Sequence, residues 1–126
     1  MLDLTDKRIL IVEDDEMNFI YLSQIFRMIH GNIFRAKNGK SALEMTKDNN
    51  YDIILMDIQL PDLNGLEITR RIREFNKVTP IVAQTAARNP DETDEAIEAG
   101  CNEILIKPYT INDLTTTLDR MLNQVS

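Results

Sequence analysis

Apolar runs along this chain end, one after another, in residues that can do chemistry. Ile9-Leu10-Ile11-Val12 leads into Glu13-Asp14-Asp15, and Ile53-Ile54-Leu55-Met56 into Asp57. Ile81-Val82-Ala83-Gln84 leads into Thr85, and Ile104-Leu105-Ile106 into Lys107-Pro108. Gathered in one place, carboxylates, a hydroxyl and an amine could hold a divalent cation and accept a phosphoryl group. Clustered carboxylates repel one another unless a cation neutralises them, and an oxygen-only set favours Mg²⁺ over zinc or copper. A carboxylate oxygen can attack phosphorus to give an acyl phosphate. A lysine ammonium is a compact charge that can balance a carboxylate before such a step and a phosphoryl oxygen after it.

The elements that would bring these residues together are legible in the spacing of apolar residues. The runs are too short for helices and are bounded by charge, which marks buried strands. Met17, Ile20, Tyr21, Ile25, Phe26 and Ile29 recur at helical spacing and predict a helix from about Glu16 to Ile29, capped by Asp15 and stopped at Gly31. A short strand over Ile33–Ala36 turns at Asn38-Gly39 into a helix over Lys40–Asp48. Leu66, Ile68, Ile72 and Phe75 mark a helix after the loop ending at Gly65, and further helices are expected over Glu92–Ala99 and Ile111–Asn123, the last capped near Thr110 or Asn112. Gly39 and Gly65 are expected where the backbone needs positive φ or close approach. Alternating strands and helices imply an α/β fold: a doubly wound five-stranded parallel sheet with helices on both faces, a flavodoxin-like (βα)5 arrangement. In such a sheet the carboxyl ends of the strands lie side by side and form the ligand crevice.

The 126 residues make one domain with 43% hydrophobic and 28% charged residues, an ordinary globular balance. We assign 8–126 to the domain and read 1–7 as a linker remnant. A formal net charge of −7 argues against nucleic-acid binding and gives no reason for contact with anionic lipid. The single cysteine, Cys101, excludes an internal disulfide and reads as a packed small residue in a reducing compartment. No stretch is long enough to span a membrane and the first residues carry no signal-peptide core, so a cytoplasmic location is expected. His30, the one histidine, is read as a helix-end residue interacting with the dipole, so a phosphoryl group must come from another protein or domain.

Taken in order, the acidic cluster, Asp57 with its Leu60-Pro61…Gly65 loop, Thr85, Gly100 and Lys107-Pro108 resemble the receiver domain of two-component phosphorelays, from about Arg8 to about Val125. The resemblance implies that Asp14 and Asp57 bind Mg²⁺ directly, that the Gln59 backbone carbonyl is a third ligand, and that Glu13 acts through water. It further implies Asp57 as phosphoacceptor, Lys107 and Thr85 as partners of the phosphoryl group, a cis bond before Pro108, and a histidine kinase or histidine phosphotransfer protein as donor. Two positions depart from the pattern. Glu13 stands where an aspartate is commonest, and Ile104 stands three places before the lysine, where an aromatic usually couples the site to the outer surface. The opening Asp3-Leu4-Thr5-Asp6-Lys7 and the helix start at Asp15-Glu16-Met17-Asn18 look most like receivers fused behind a hybrid histidine kinase. The competing class is a pseudo-receiver that binds proteins without being phosphorylated, and retention of Asp14, Asp57, Thr85 and Lys107 weighs against it.

Overall fold

A computed structural model of the chain describes residues 2–86 and 90–123. The elements run β1 (Arg8–Val12), α1 (Glu16–Met28), β2 (Asn32–Ala36), α2 (Gly39–Asp48), β3 (Ile53–Asp57), α3 (Gly65–Arg73), β4 (Ile81–Thr85), α4 (Pro90–Ala99), β5 (Glu103–Ile106) and α5 (Ile111–Leu122). The strands form one sheet in the order β2-β1-β3-β4-β5, every pairing parallel. This is the expected doubly wound α/β fold. Because the chain leaves β1 for β2 and returns to β3 on the other side, the strand order reverses between β1 and β3. That is where a crevice opens at the carboxyl edge of such a sheet.

Strand alternation sorts the core into two layers. Leu10, Val12, Ile54, Met56, Ile81 and Ala83 pack with Ala42 of α2, Leu66, Ile68 and Ile72 of α3, and Ala96 and Ala99 of α4. Ile9, Ile11, Ile53, Leu55 and Val82 pack with Leu22, Ile25 and Phe26 of α1 and Leu114 and Leu118 of α5. Side-chain caps start the helices. Asp15 accepts from the Met17 amide, Asn38 from Ser41, Asn64 from Leu66, and Thr110 forms a reciprocal box with Asp113.

Some expectations change in the folded chain. Of the apolar residues assigned to the buried face of α1, Met17 is 72% exposed and Ile20 and Tyr21 are each 43% exposed. The buried set is Leu22, Ile25 and Phe26, continued by Ile29. At 100° per residue the two sets form separate stripes roughly 130° apart, and only one can face the sheet. The helix ends at Met28, one residue before the expected Ile29. His30 adopts the left-handed conformation with φ 62°, its amide donating to Arg27 O and the Gly31 amide to Phe26 O. These bonds form a Schellman termination with His30 at the left-handed position. Gly31 instead serves close packing, since a Cβ there would lie 2.9 Å from Phe26 Cδ1.

The segment read as a linker remnant is docked against the domain. Leu4 is buried in the α1–α5 layer, its amide donates to Ile29 O at 2.8 Å, and Asn32 Nδ2 donates to the carbonyls of Thr5 and Lys7. Met1 and residues 87–89 and 124–126 of the expected spans lie outside the described residues.

Candidate functional site

Strand register sets the level of every site residue. Val12 pairs with Met56, so Glu13 follows beside Asp57. Asp57 pairs with Gln84, and Thr85 with Ile106, so Thr85 and Lys107 stand at the same edge. Loop bonds continue the alignment beyond the strands: Glu13 N–H donates to Ala36 O, Ile58 N–H to Gln84 O, and Lys107 N–H to Thr85 O. The bond between Lys107 and Pro108 is cis, as the resemblance implies.

Glu13, Asp14 and Asp57 present carboxylate oxygens that all lie within 4.8 Å of one another. Glu13 and Asp57 are buried and Asp14 is exposed, so the cluster has a dry floor and an open mouth. Lys107 Nζ lies 3.7 Å from Asp57 Oδ2 and 3.7 Å from Glu13 Oε1, close enough for charge compensation and too far for good hydrogen bonds. The Gln59 amide, in the loop after β3, donates to Asp57 Oδ1 at 3.0 Å. Burial lifts the Asp57 carboxyl from 3.8 to about 7, and the neighbouring Glu13 carboxyl adds to the rise. Lys107 and the Gln59 amide oppose it without cancelling it.

The loop after Asp57 turns tightly because residue 65 is glycine. Its amide donates to Ile58 O at 2.7 Å, and a Cβ there would sit 2.2 Å from Asp57 O. Neither Gly65 nor Gly39 has positive φ, so close approach is what both positions require. Asp62 pins the same loop to α2, its carboxylate accepting from the Gly39 and Lys40 amides at 2.8 and 3.1 Å. A carboxylate on a helix amino terminus is favoured by those donors and the dipole, and its pKa is lowered, with the Gly39 bond the largest cause.

The fold thus brings together Glu13, Asp14, Asp57, Gln59 and Lys107, with Thr85 on the adjoining strand end. The Thr85 hydroxyl donates to Glu92 Oε2 of α4 at 2.9 Å. Ile104 is half-buried against the α2–α4 layer. On the opposite side Tyr109 O–H donates to Oε1 of the fully buried Gln84, whose Nε2 finds no hydrogen-bond partner among the described residues. Tyr109, Tyr21, Asn18, Lys107 and Pro108 line a cavity of about 480 Å³ beside the cluster.

Residues not anticipated from the sequence complete the surroundings. Asn18, one turn into α1, donates its side-chain amide to Glu13 Oε1. Arg35 reaches from β2 to the backbone of Glu13 and Asp14. Glu92 holds the Thr85 hydroxyl. Arg35 was the one with a signal, being a charged residue inside the otherwise apolar stretch Ile33-Phe34-Arg35-Ala36.

The family model for the response regulator receiver domain matches residues 9–119. The chain belongs to the response regulator receiver domain family. Among curated relatives, the receiver domain is 42% identical over 108 residues to autoinducer 2 sensor kinase/phosphatase LuxQ of Vibrio parahaemolyticus, covering 85% of this chain and 13% of that protein. It is 36% identical over 115 residues to aerobic respiration control sensor protein ArcB of Escherichia coli, covering 89% of this chain and 15% of that protein. The chain therefore spans a small fraction of the length of these relatives. Among solved structures, the receiver domain of sensor histidine kinase PA1611 from Pseudomonas aeruginosa, described with a magnesium ion coordinated in its active-site cleft, superposes with a TM-score of 0.87 at 32% identity, covering 94% of this chain and 98% of that one. A two-component response regulator from Clostridium difficile gives a TM-score of 0.89 at 27% identity, covering 94% and 98%. No helix among the described residues is long and apolar enough to cross a membrane.

Proposed function

We propose that this receiver domain is a Mg²⁺-dependent phosphoacceptor that takes a phosphoryl group from a partner phosphohistidine onto Asp57 and signals by changing conformation. The observation that carries the proposal is Asp57 itself. It is a buried carboxylate at the end of the central strand, with Glu13 and Asp14 oxygens within 4.8 Å and an ammonium at 3.7 Å.

The residues fit a hard divalent cation. The donor set is all oxygen, and burial together with the neighbouring Glu13 carboxyl raises the Asp57 pKa by more than Lys107 offsets, so a bound cation would relieve the cost of ionising it. Asp14 and Asp57 would hold Mg²⁺ directly, with the Gln59 carbonyl as a further ligand and Glu13 acting through water. When bound, the ion supplies charge neutralisation for the phosphoryl oxygens. The magnesium described in the cleft of the Pseudomonas aeruginosa receiver supports this reading.

In the reaction, an Asp57 oxygen attacks phosphorus while the P–N bond to the donor imidazole breaks, so the phosphoryl group passes to the carboxylate and the electron pair leaves with the imidazole nitrogen. Lys107 balances the negative charge moving onto the site, and Thr85 donates its hydroxyl to a phosphoryl oxygen. The donor is a histidine kinase or histidine phosphotransfer protein, and the parent protein a hybrid sensor kinase acting in the cytoplasm. The sensor-kinase relatives support that assignment.

The test is incubation with acetyl phosphate and Mg²⁺ followed by intact-protein mass spectrometry. Wild type gains one phosphoryl group and Asp57→Asn gains none. Equal modification of Asp57→Asn would overturn the assignment, and failure of wild type to react with any phosphodonor would favour a pseudo-receiver.

A further inference from the structure

Arg35 does more than occupy strand β2. It pairs across the sheet with Ile11, and its side chain is only 11% exposed. Its Nε donates to the backbone carbonyl of Glu13 at 3.1 Å and its Nη2 to that of Asp14 at 3.4 Å. Its Nη1 donates to both carboxylate oxygens of Glu16, at 2.9 and 2.8 Å, and the guanidinium lies over the Phe19 ring, 4.4 Å from its centroid. One planar fork therefore ties consecutive carbonyls of the acidic loop to the first two turns of α1.

Those carbonyls belong to residues where β1 has ended and the strand ladder has run out of donors. Glu13 is also fixed through its side chain, which accepts from Asn18 and from the Asp15 amide and faces Lys107. Among the described residues, nothing comparable holds the exposed Asp14 carboxylate. Its direction depends on the Glu13–Asp14 backbone, and Arg35 braces that backbone. Lysine could not do this, because it is a point charge without a rigid fork.

We propose that Arg35 is a positioning residue for cation binding: it aims Asp14 into the carboxylate cluster by bracing the Glu13 and Asp14 carbonyls. The inference rests on the Mg²⁺ reading above. Charge alone predicts the opposite sign. Arg35 is a cation beside a cation site, so deleting it should tighten Mg²⁺ binding by Coulomb's law, whereas loss of the brace should weaken it.

The experiment is calorimetric Mg²⁺ titration of the wild-type chain, Arg35→Ala, Arg35→Lys, and Arg70→Ala as a charge control on the exposed face of α3. Thermal melts in EDTA and amide spectra confirm folding. Arg35→Ala is expected to weaken binding by about tenfold, the scale on which supporting residues act on metal ligands. Arg35→Lys, which keeps the charge without the fork, should recover only part of the loss, and Arg70→Ala should bind as wild type. In metal-free spectra the Asp14 amide should shift or broaden in both Arg35 variants. If Arg35→Ala proves unfolded, Arg35→Lys decides. Wild-type or tighter affinity in the folded Arg35 variants overturns the proposal and leaves the Mg²⁺ reading standing. An equal loss in Arg70→Ala also overturns it, and a wild-type chain that binds no Mg²⁺ removes both.

Discussion

The Thr85 hydroxyl and the Glu92 carboxylate are joined by a 2.9 Å hydrogen bond between the end of β4 and the first turn of α4. In the proposed reaction the same hydroxyl must turn to a phosphoryl oxygen, so Glu92 competes with the phosphoryl group for Thr85. Breaking a bond of this kind costs about 1 kcal/mol, roughly a fivefold change in an equilibrium. Glu92→Ala should therefore lower the beryllofluoride concentration that half-saturates the site by about that factor. Glu92→Gln, which keeps an acceptor, should lie between the two. Titration followed by amide chemical shifts measures this, and identical midpoints for all three proteins would remove Glu92 from the switch.

The buried carboxyl of Asp57 makes a prediction about pH in the absence of metal. Its folded-state pKa is raised from 3.8 to about 7, so the folded chain holds a proton that the unfolded chain releases across that interval. The contribution to stability is complete below 3.8 and is lost as pH rises towards about 7. In EDTA, wild type should lose melting temperature relative to Asp57→Asn as pH climbs through this window. Saturating Mg²⁺ should remove the difference for wild type alone, by binding the folded state. A constant difference between wild type and Asp57→Asn across the window would show that Asp57 titrates normally.

Lys107 is half-buried and sits 3.7 Å from each of two carboxylates, an arrangement that contributes little to stability while the site mouth stays wet. Lys107→Ala should fold, with a melting temperature within a few degrees of wild type. It should still accept beryllofluoride, but without the accompanying shifts in β4–α4 and β5–α5, because the developing phosphoryl charge has lost its fixed counterion. Spectra with and without the mimic distinguish the outcomes. Full-sized shifts in Lys107→Ala would mean that the response runs through other groups.

Much of the site is legible in the sequence because a parallel sheet aligns strand ends. Once the apolar runs are strands, Glu13, Asp57, Thr85 and Lys107 must share one edge, and the register bears this out. Residues that act across a gap are not legible in the same way. Glu92 and Asn18 look like solvated helix residues until the helices dock, and their roles depend on side-chain reach rather than on period. The rotation of α1 is ambiguous for a related reason. Its sequence carries two apolar stripes, and only packing selects Leu22, Ile25 and Phe26 over Met17, Ile20 and Tyr21. Leu4 lies in the short stretch Leu2-Asp3-Leu4-Thr5-Asp6-Lys7, too brief for a period to announce that it is buried.

Gly65 and Gly39 separate two kinds of close approach, and substitution should tell them apart. A Cβ at Gly65 would meet backbone, lying 2.2 Å from Asp57 O and 2.7 Å from Ile58 Cα. A Cβ at Gly39 would meet the far end of a side chain, 2.5 Å from Ile68 Cδ1. A side chain can change rotamer, whereas a backbone carbonyl held between strand β3 and its loop can only be pushed. Gly65→Ala should cost about 2–3 kcal/mol, at the upper end of overpacking penalties, and Gly39→Ala about 1 kcal/mol. The Gly65 variant should also accept acetyl phosphate more slowly, because the displaced peptide is the one that carries the Asp57 carboxylate. Gly39→Ala should accept it at the wild-type rate, since its strain falls on α2 and α3. Urea denaturation and phosphorylation rates on the two variants test both halves, and equal rates would show that the loop absorbs the extra methyl without moving Asp57.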